Sequence, residues 1–268
     1  MNLLDVKPLD LKYDEKTFLL FMDDTALDPS VRRLKDLHEV AYDKNFLNRA
    51  KENIPVYYIY RNVCREMDWH LFVPHKIRHD ISLIPAFNIG KEFVKTLGHY
   101  HPIAEGKLTY PEVYEIVSGE AHYLLQKIEG SKVVDVVVVD AKEGDKVIIP
   151  PDYGHVTINP SERTLIMANL VSTQFNPIYQ PMREMGGAAY YELKGHLFVK
   201  NERYFNTPQI RFCRPSTELR SLQGNSLYSL FLKNPGMFEY LNKPLRLEKS
   251  ALMEPVNHGV GHIQVEDL

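Results

Sequence analysis

Gly98-His99-Tyr100-His101, then Pro111-Glu112-Val113-Tyr114, then Gly154-His155-Val156-Thr157-Ile158-Asn159 are the segments that decide how the rest of the chain is read. His99 and His101 are two apart. On a strand, residues i and i+2 point to one face, so both imidazoles can enter the same interior. Glu112 opens a later strand, and His155 sits at the end of a strand-like segment after the Pro150-Pro151 turn. Three imidazole nitrogens and one carboxylate oxygen suit a divalent transition metal. His-x-His alone says little, since two ordinary strand histidines look the same. Glu112 and His155 within one barrel give it weight.

Outward from these segments the texture is β. Strands are expected over 56–60, 80–84, 92–101, 113–117, 121–128, 132–139, 146–149 and 165–171. Gly119-Glu120 and Glu129-Gly130 read as hairpin turns. Many short strands without βα alternation suggest an antiparallel barrel or a double-sheet jelly roll. Residues 57–200 then form the barrel with the metal and substrate site. Residues 1–56 read as an N-terminal extension with a short strand over 17–22 and one helix. That helix starts at Asp28-Pro29, with Asp as N-cap, and runs to about 50, because Val31, Leu34, Leu37 and Ala41 recur at helical spacing. Residues 201–268 read as a mixed C-terminal extension for capping or subunit contact, with helical character over 226–241 interrupted at Pro235-Gly236.

Composition bounds the partners. The chain has 268 residues, 44% hydrophobic and 25% charged, enough apolar material for a real core. A net charge of -3 gives no basic excess for nucleic-acid phosphates. The two cysteines, Cys64 and Cys213, are far apart and make neither a disulfide framework nor a Cys-based zinc site. The N-terminus has no basic leader, and its apolar run over 18–22 is too short for a signal peptide or membrane span. The expected address is the cytoplasm, with no membrane partner.

The motifs resemble the cupin pattern of His-x-His, spacer, Glu, six residues and Gly, followed by a Gly/Pro-rich turn, His, three residues and Asn. Here these are His99, His101, Glu112, Gly119, then Gly144, Pro150, His155 and Asn159. Two departures stand out. The spacer from His101 to Glu112 holds ten residues rather than three or four, implying an inserted loop over 103–110 at the barrel mouth. Asp152 stands where the pattern has Gly. More specifically, Arg78-His79-Asp80-Ile81-Ser82-Leu83-Ile84-Pro85, the run from Gly90 to His101, Pro111-Glu112-Val113-Tyr114-Glu115 and Leu124-Leu125-Gln126 resemble the cupin-type, or archaeal-type, glucose-6-phosphate isomerases over about 57–195.

That resemblance implies a mainly β cupin double-stranded β-helix, a jelly-roll barrel. It implies one divalent metal per chain on His99, His101, Glu112 and His155, with Fe(II) foremost and Zn, Ni or Mn also fitting the donors. The implied reaction interconverts glucose 6-phosphate and fructose 6-phosphate in glycolysis or gluconeogenesis. Either Glu112 is the base and the metal stabilises an enediolate, or a hydride shifts directly. The implied phosphate site is Ser82, Thr96, Gly98 and Tyr179, and Tyr114 shares the parity of Glu112 and should contact substrate. On a regular strand Thr96 and Gly98 would face away from His99 and His101, and a bulge at Gly98 would reconcile them. Pro177 replaces a pocket histidine of the family. A homodimer is the family expectation.

His122 and Gln126 either face that interior or are satisfied barrel polar residues. Lys91 and Lys95 either assist the phosphate or lie at the rim. His258 and His262 belong to a solvated tail. Two rival readings are an iron-dependent cupin dioxygenase and a non-catalytic sugar-phosphate-binding cupin.

Overall fold

A valine-rich run forms the largest pairing in the computed structural model, which describes residues 2–4, 6–247, 252–256 and 264–266. Strand Lys132–Lys142, rich in the β-branched residues that favour pleated surfaces, pairs antiparallel with Glu120–Glu129 through the Gly130 turn. Glu120–Glu129 also pairs with Tyr153–Ile158, and Lys132–Lys142 takes Arg211–Pro215 in parallel and Met253–Pro255 beyond it. The facing sheet runs Lys146–Ile149, Glu112–Ser118, Leu165–Ser172, Ile77–Ile84, Pro55–Tyr60, Ser30–Arg33. The two sheets close on each other as a cupin jelly-roll barrel.

Three layers of apolar side chains follow. Tyr114, Tyr123, Leu125, Val137 and Met167 fill the space between the sheets. Behind the six-stranded sheet, Leu83, Val113, Ile166 and Leu170 meet Tyr228, Phe231, Phe238 and Leu241 from the C-terminal region. Behind the other sheet, Leu124, Val138, Val156 and Ile158 meet Met182, Tyr190 and Phe198. Both faces of the barrel are therefore covered. This is why Leu165–Ser172 is buried along its full length and its sequence does not alternate.

The N-terminal region differs from the expectation. The stretch read as one helix over 28–50 is a strand, Ser30–Arg33, then a 3-10 turn, Leu34–Leu37, then a short helix, Lys44–Arg49. Leu34 and Leu37 are buried, and their spacing of three suits a 3-10 turn as well as an α-helix. Asp43, not Asp28, caps the helix, accepting from the Phe46 N–H at 3.0 Å. Ser30–Arg33 pairs with Pro55–Tyr60, so the barrel sheet begins before residue 57. Four short strands, Asn2–Leu4, Leu11–Tyr13, Leu20–Met22 and Thr25–Ala26, form a separate sheet. In the C-terminal region Ser226 caps the helix Leu227–Lys233, and a 3-10 segment, Pro235–Leu241, follows.

Candidate metal centre

The site grows from an irregular strand. The segment carrying the two histidines is not the continuous 92–101 strand expected. Only Glu92–Phe93 is regular. Beyond it, Lys95 lies opposite Ile158 and His99 opposite His155, so the run from 95 to 99 is matched by the shorter run from 158 to 155. One extra residue is accommodated, which is a bulge. Gly98 sits there at φ +75, and a Cβ on it would come within 2.5 Å of a Val156 methyl, so this backbone needs glycine. The bulge turns Thr96, Gly98, His99 and His101 toward one cleft. Strand Tyr153–Ile158, not anticipated as a full strand, delivers His155 from its middle rather than its end.

The four donors converge, with their ligand atoms within 4.8 Å of one another. His99 Nε2 and His101 Nε2 are 3.1 Å apart. Glu112 Oε2 is 3.4 Å from His101 Nε2 and 3.7 Å from His155 Nε2. Metal–nitrogen bonds of ~2.1 Å at 90–109° span ~3.0–3.4 Å, so the donor set fits a transition ion. The backing differs between the donors: His155 Nδ1 is buried without a hydrogen-bond partner among the described residues, whereas His101 and Glu112 are held from behind. His101 Nδ1 lies 2.8 Å from the Tyr110 carbonyl and donates to it, leaving Nε2 with its lone pair. Asn169 Nδ2 donates to Glu112 Oε1 at 2.7 Å, which aims Oε2 at the imidazoles. Burial, reinforced by neighbouring imidazoles, holds His99 and His155 well below the ordinary histidine range, so both are neutral and ready to coordinate. Burial, with Glu112 nearby, pushes the Tyr114 phenol well above its usual range, and its hydroxyl lies 3.3 Å from His155 Nε2.

Ser82, Thr96, Gly98, Tyr114 and Tyr179 all line the same cleft, whose empty volume, partly open to solvent, is about 660 Å³. Thr96 Oγ1 accepts from the Thr157 N–H at 3.0 Å, so its own hydroxyl proton remains to be donated. Tyr179 packs its ring 5.4 Å from that of His99. Pro177 is on the cleft wall.

Several residues were not foreseen. Arg61, Arg78 and Asp80 line the cleft, with Arg78 Nε 2.7 Å from Asp80 Oδ2. Arg32 lies 5.6 Å from the Tyr179 ring centroid. Arg78 and Asp80 share strand parity with Ser82, and that was the signal that could have found them. Asn169 carried no such signal.

Other expectations resolve away from the cleft. Tyr123 and Leu125 face the interior, so His122 and Gln126 face outward. Gln126 bonds Tyr100, Tyr204 and the Ala189 N–H. Lys95 is buried against Glu92 and donates to the Val40 carbonyl, far from any phosphate role. His258 and His262 lie outside the described residues. The inserted residues at 103–110 form a small hairpin, Ile103–Glu105 with Leu108–Thr109.

A jelly-roll barrel with three histidines and a glutamate gathered inside defines the chain as a cupin. The model of the glucose-6-phosphate isomerase family matches residues 31–211, and the chain belongs to that family. It is 30% identical to the glucose-6-phosphate isomerase of Thermococcus onnurineus over 157 residues, 58% of this chain and 76% of the relative. To that of Pyrococcus furiosus it is 28% identical over 182 residues, 67% of this chain and 87% of the relative. Among solved structures, an oxalate oxidase aligns at TM-score 0.35 and 13% identity, covering 47% of this chain and 56% of that one. No helix among the described residues is long and apolar enough to cross a membrane.

Proposed function

We propose that the chain interconverts glucose 6-phosphate and fructose 6-phosphate with one divalent metal held by His99, His101, Glu112 and His155, Fe(II) foremost. The observation that carries this reading is the meeting of two sets in one cleft: four metal donors, and the phosphate-type residues Ser82, Thr96, Gly98 and Tyr179. The relatives carry the name of this activity, which gives the reading its substrate.

The residues divide the work. Hydroxyls of Ser82, Thr96 and Tyr179 and the backbone at Gly98 bind the phosphate, with the Arg32 guanidinium close behind Tyr179. This anchors the sugar so that its carbonyl end reaches the histidines. A bound metal would supply Lewis-acid polarisation of that carbonyl. Glu112 moves the proton between C1 and C2. Its Oε2 faces the imidazoles, and Oε1, steadied by Asn169, is the oxygen that takes up the proton. Tyr114, protonated throughout, donates to a substrate oxygen. The apolar walls at buried Met167 and part-buried Phe175 help keep bulk water from the reacting carbons.

A coupled isomerase assay on chelator-stripped protein, refilled in turn with Fe(II), Mn(II), Zn(II) and Ni(II), tests this. Conversion is expected only with metal. No conversion of glucose 6-phosphate with any of the four removes the assignment.

A further inference from the structure

A second set of donors lies on the outer side of the barrel sheet. His122 comes from strand Glu120–Glu129, Glu192 from strand Tyr190–Leu193, and His196 from the turn before Leu197–Lys200. His122 Nδ1 is 2.9 and 2.8 Å from the two Glu192 oxygens, and His196 Nδ1 is 3.0 Å from Oε1. The Glu192 side chain is fully buried, and its partners among the described residues are these two imidazoles.

We infer that His122, Glu192 and His196 form a second divalent-metal site, for an ion of the Zn(II) class, that clips the hairpin spanning residues 190–200 to the barrel.

Four observations converge. The N···O separations approach the ~3.0–3.4 Å edges spanned by metal bonds of ~2.1 Å. Two imidazoles and a carboxylate suit a borderline ion, and the remaining position is open to water because His196 is 40% exposed. His122 has a carboxylate at each ring nitrogen: Glu192 at Nδ1, and Asp140 Oδ1 3.9 Å from Nε2. A neutral imidazole has one N–H and one lone pair, so two facing carboxylates call for a positive charge at this ring, supplied by a proton or by a metal ion. With a metal on Nδ1, Nε2 carries the proton on the side of Asp140, whose carboxylate at 3.9 Å is an ion-pair neighbour rather than a hydrogen-bond acceptor. Finally, His196 holds φ +58, a conformation costly for a side chain with a Cβ, and this presents its ring to Glu192.

The inference does not depend on the reaction proposed for the cleft. Its test is stoichiometry. Chelator-stripped protein is loaded with Zn(II), dialysed against a weak chelator and analysed for metal, as wild type, His196→Ala, His155→Ala and the double variant. Two equivalents are expected in wild type, one in each single variant and none in the double. Hydrogen exchange over residues 190–200 should slow with the second equivalent in wild type but not in His196→Ala. The clip is overturned if wild type holds no zinc, or holds one equivalent that His196→Ala keeps and His155→Ala loses. One equivalent lost only in His196→Ala would support the clip and remove the metal from the cleft instead.

Discussion

One sheet sends a histidine from each of its faces, His155 inward and His122 outward, into two histidine–carboxylate clusters built for different ends. The inner one sits at the floor of an open cleft, and its carboxylate is steadied by Asn169 rather than by an imidazole N–H. The outer one buries its carboxylate completely, wedged between two imidazoles from different elements. Leu125 pairs with His155 and His122 with Ile158, so one register places a histidine of each set on opposite faces. The difference teaches that donor identity alone does not separate chemistry from fastening. Room for a substrate, and a carboxylate oxygen not consumed by an imidazole, do.

The comparison breaks most directly at Glu112. Glu112→Gln keeps the shape and one oxygen donor but cannot accept a proton. Assayed with metal loaded, it should lose about 10²- to 10⁴-fold in kcat. Removing the outer carboxylate by Glu192→Gln should leave kcat within a few-fold. A loaded Glu112→Gln running near the wild-type rate would transfer the chemistry to a direct hydride shift or to another base.

The substrate side of the comparison is sharpened at Ser82. Its hydroxyl lines the inner cleft, whereas Thr96 Oγ1 also serves the backbone at Thr157. Ser82→Ala is therefore the cleaner deletion. Losing a hydrogen bond to a charged phosphate costs about 1.5–3 kcal/mol, which is roughly 10- to 150-fold in KM. Metal content should not change. A KM equal to wild type would take Ser82 out of the phosphate site.

The inner half of this contrast was legible in the sequence, and the reason lies in periodicity. His-x-His parity, Glu112 seven residues before Gly119, and His155 four before Asn159 depend on spacing along strands, which the fold preserves. Most barrel strands fell within a few residues of their expected ends. What was hidden depends on pairing between distant segments. Ser30–Arg33 becomes a strand because Pro55–Tyr60 offers an edge, which overrides its helix-like pattern. Glu192 and His196 lie about seventy residues from His122, and only the folded chain brings them together. Arg78 looks in sequence like a solvated strand residue, and only the fold shows it at the cleft wall beside Asp80.

Acid should move the two clusters in opposite directions. In metal-free protein, burial holds His99 and His155 below their unfolded value, so the unfolded chain binds more protons, and their contribution is lost as pH falls below about 6.5. At His122 burial acts the same way, but the Glu192 carboxylate outweighs it and the value is raised. That contribution is fully present below about 6.5 and is lost as pH rises through the folded value. Urea midpoints at pH 7.5 and 5.5 check this. His155→Gln should narrow the loss of stability between the two, and His122→Gln should widen it. Shifts of the same sign in both variants would show that the clusters are not electrostatically distinct.

The smallest expected effect concerns how the inner cluster is braced. Asp152 occupies φ +73, a conformation glycine adopts freely and most side chains resist. Its N–H donates to Thr109 Oγ1 at 2.6 Å, and its Oδ1 accepts from the Thr109 N–H at 3.2 Å. Thr109 belongs to the inserted hairpin, and the next residue, Tyr110, presents the carbonyl that orients His101. The long spacer and the aspartate are therefore one device: the insertion supplies the partner that makes a non-glycine residue tolerable here. Among the described residues no such brace from an inserted segment meets the outer cluster. Asp152→Ala keeps the backbone cost and loses the acceptor, so it should lower stability by about 1 kcal/mol. Asp152→Gly loses the same acceptor but relieves the backbone, and should lie closer to wild type. Urea midpoints separate the two. Equal losses in both variants would mean that the Thr109 bond alone matters and that the backbone conformation at 152 carries no cost.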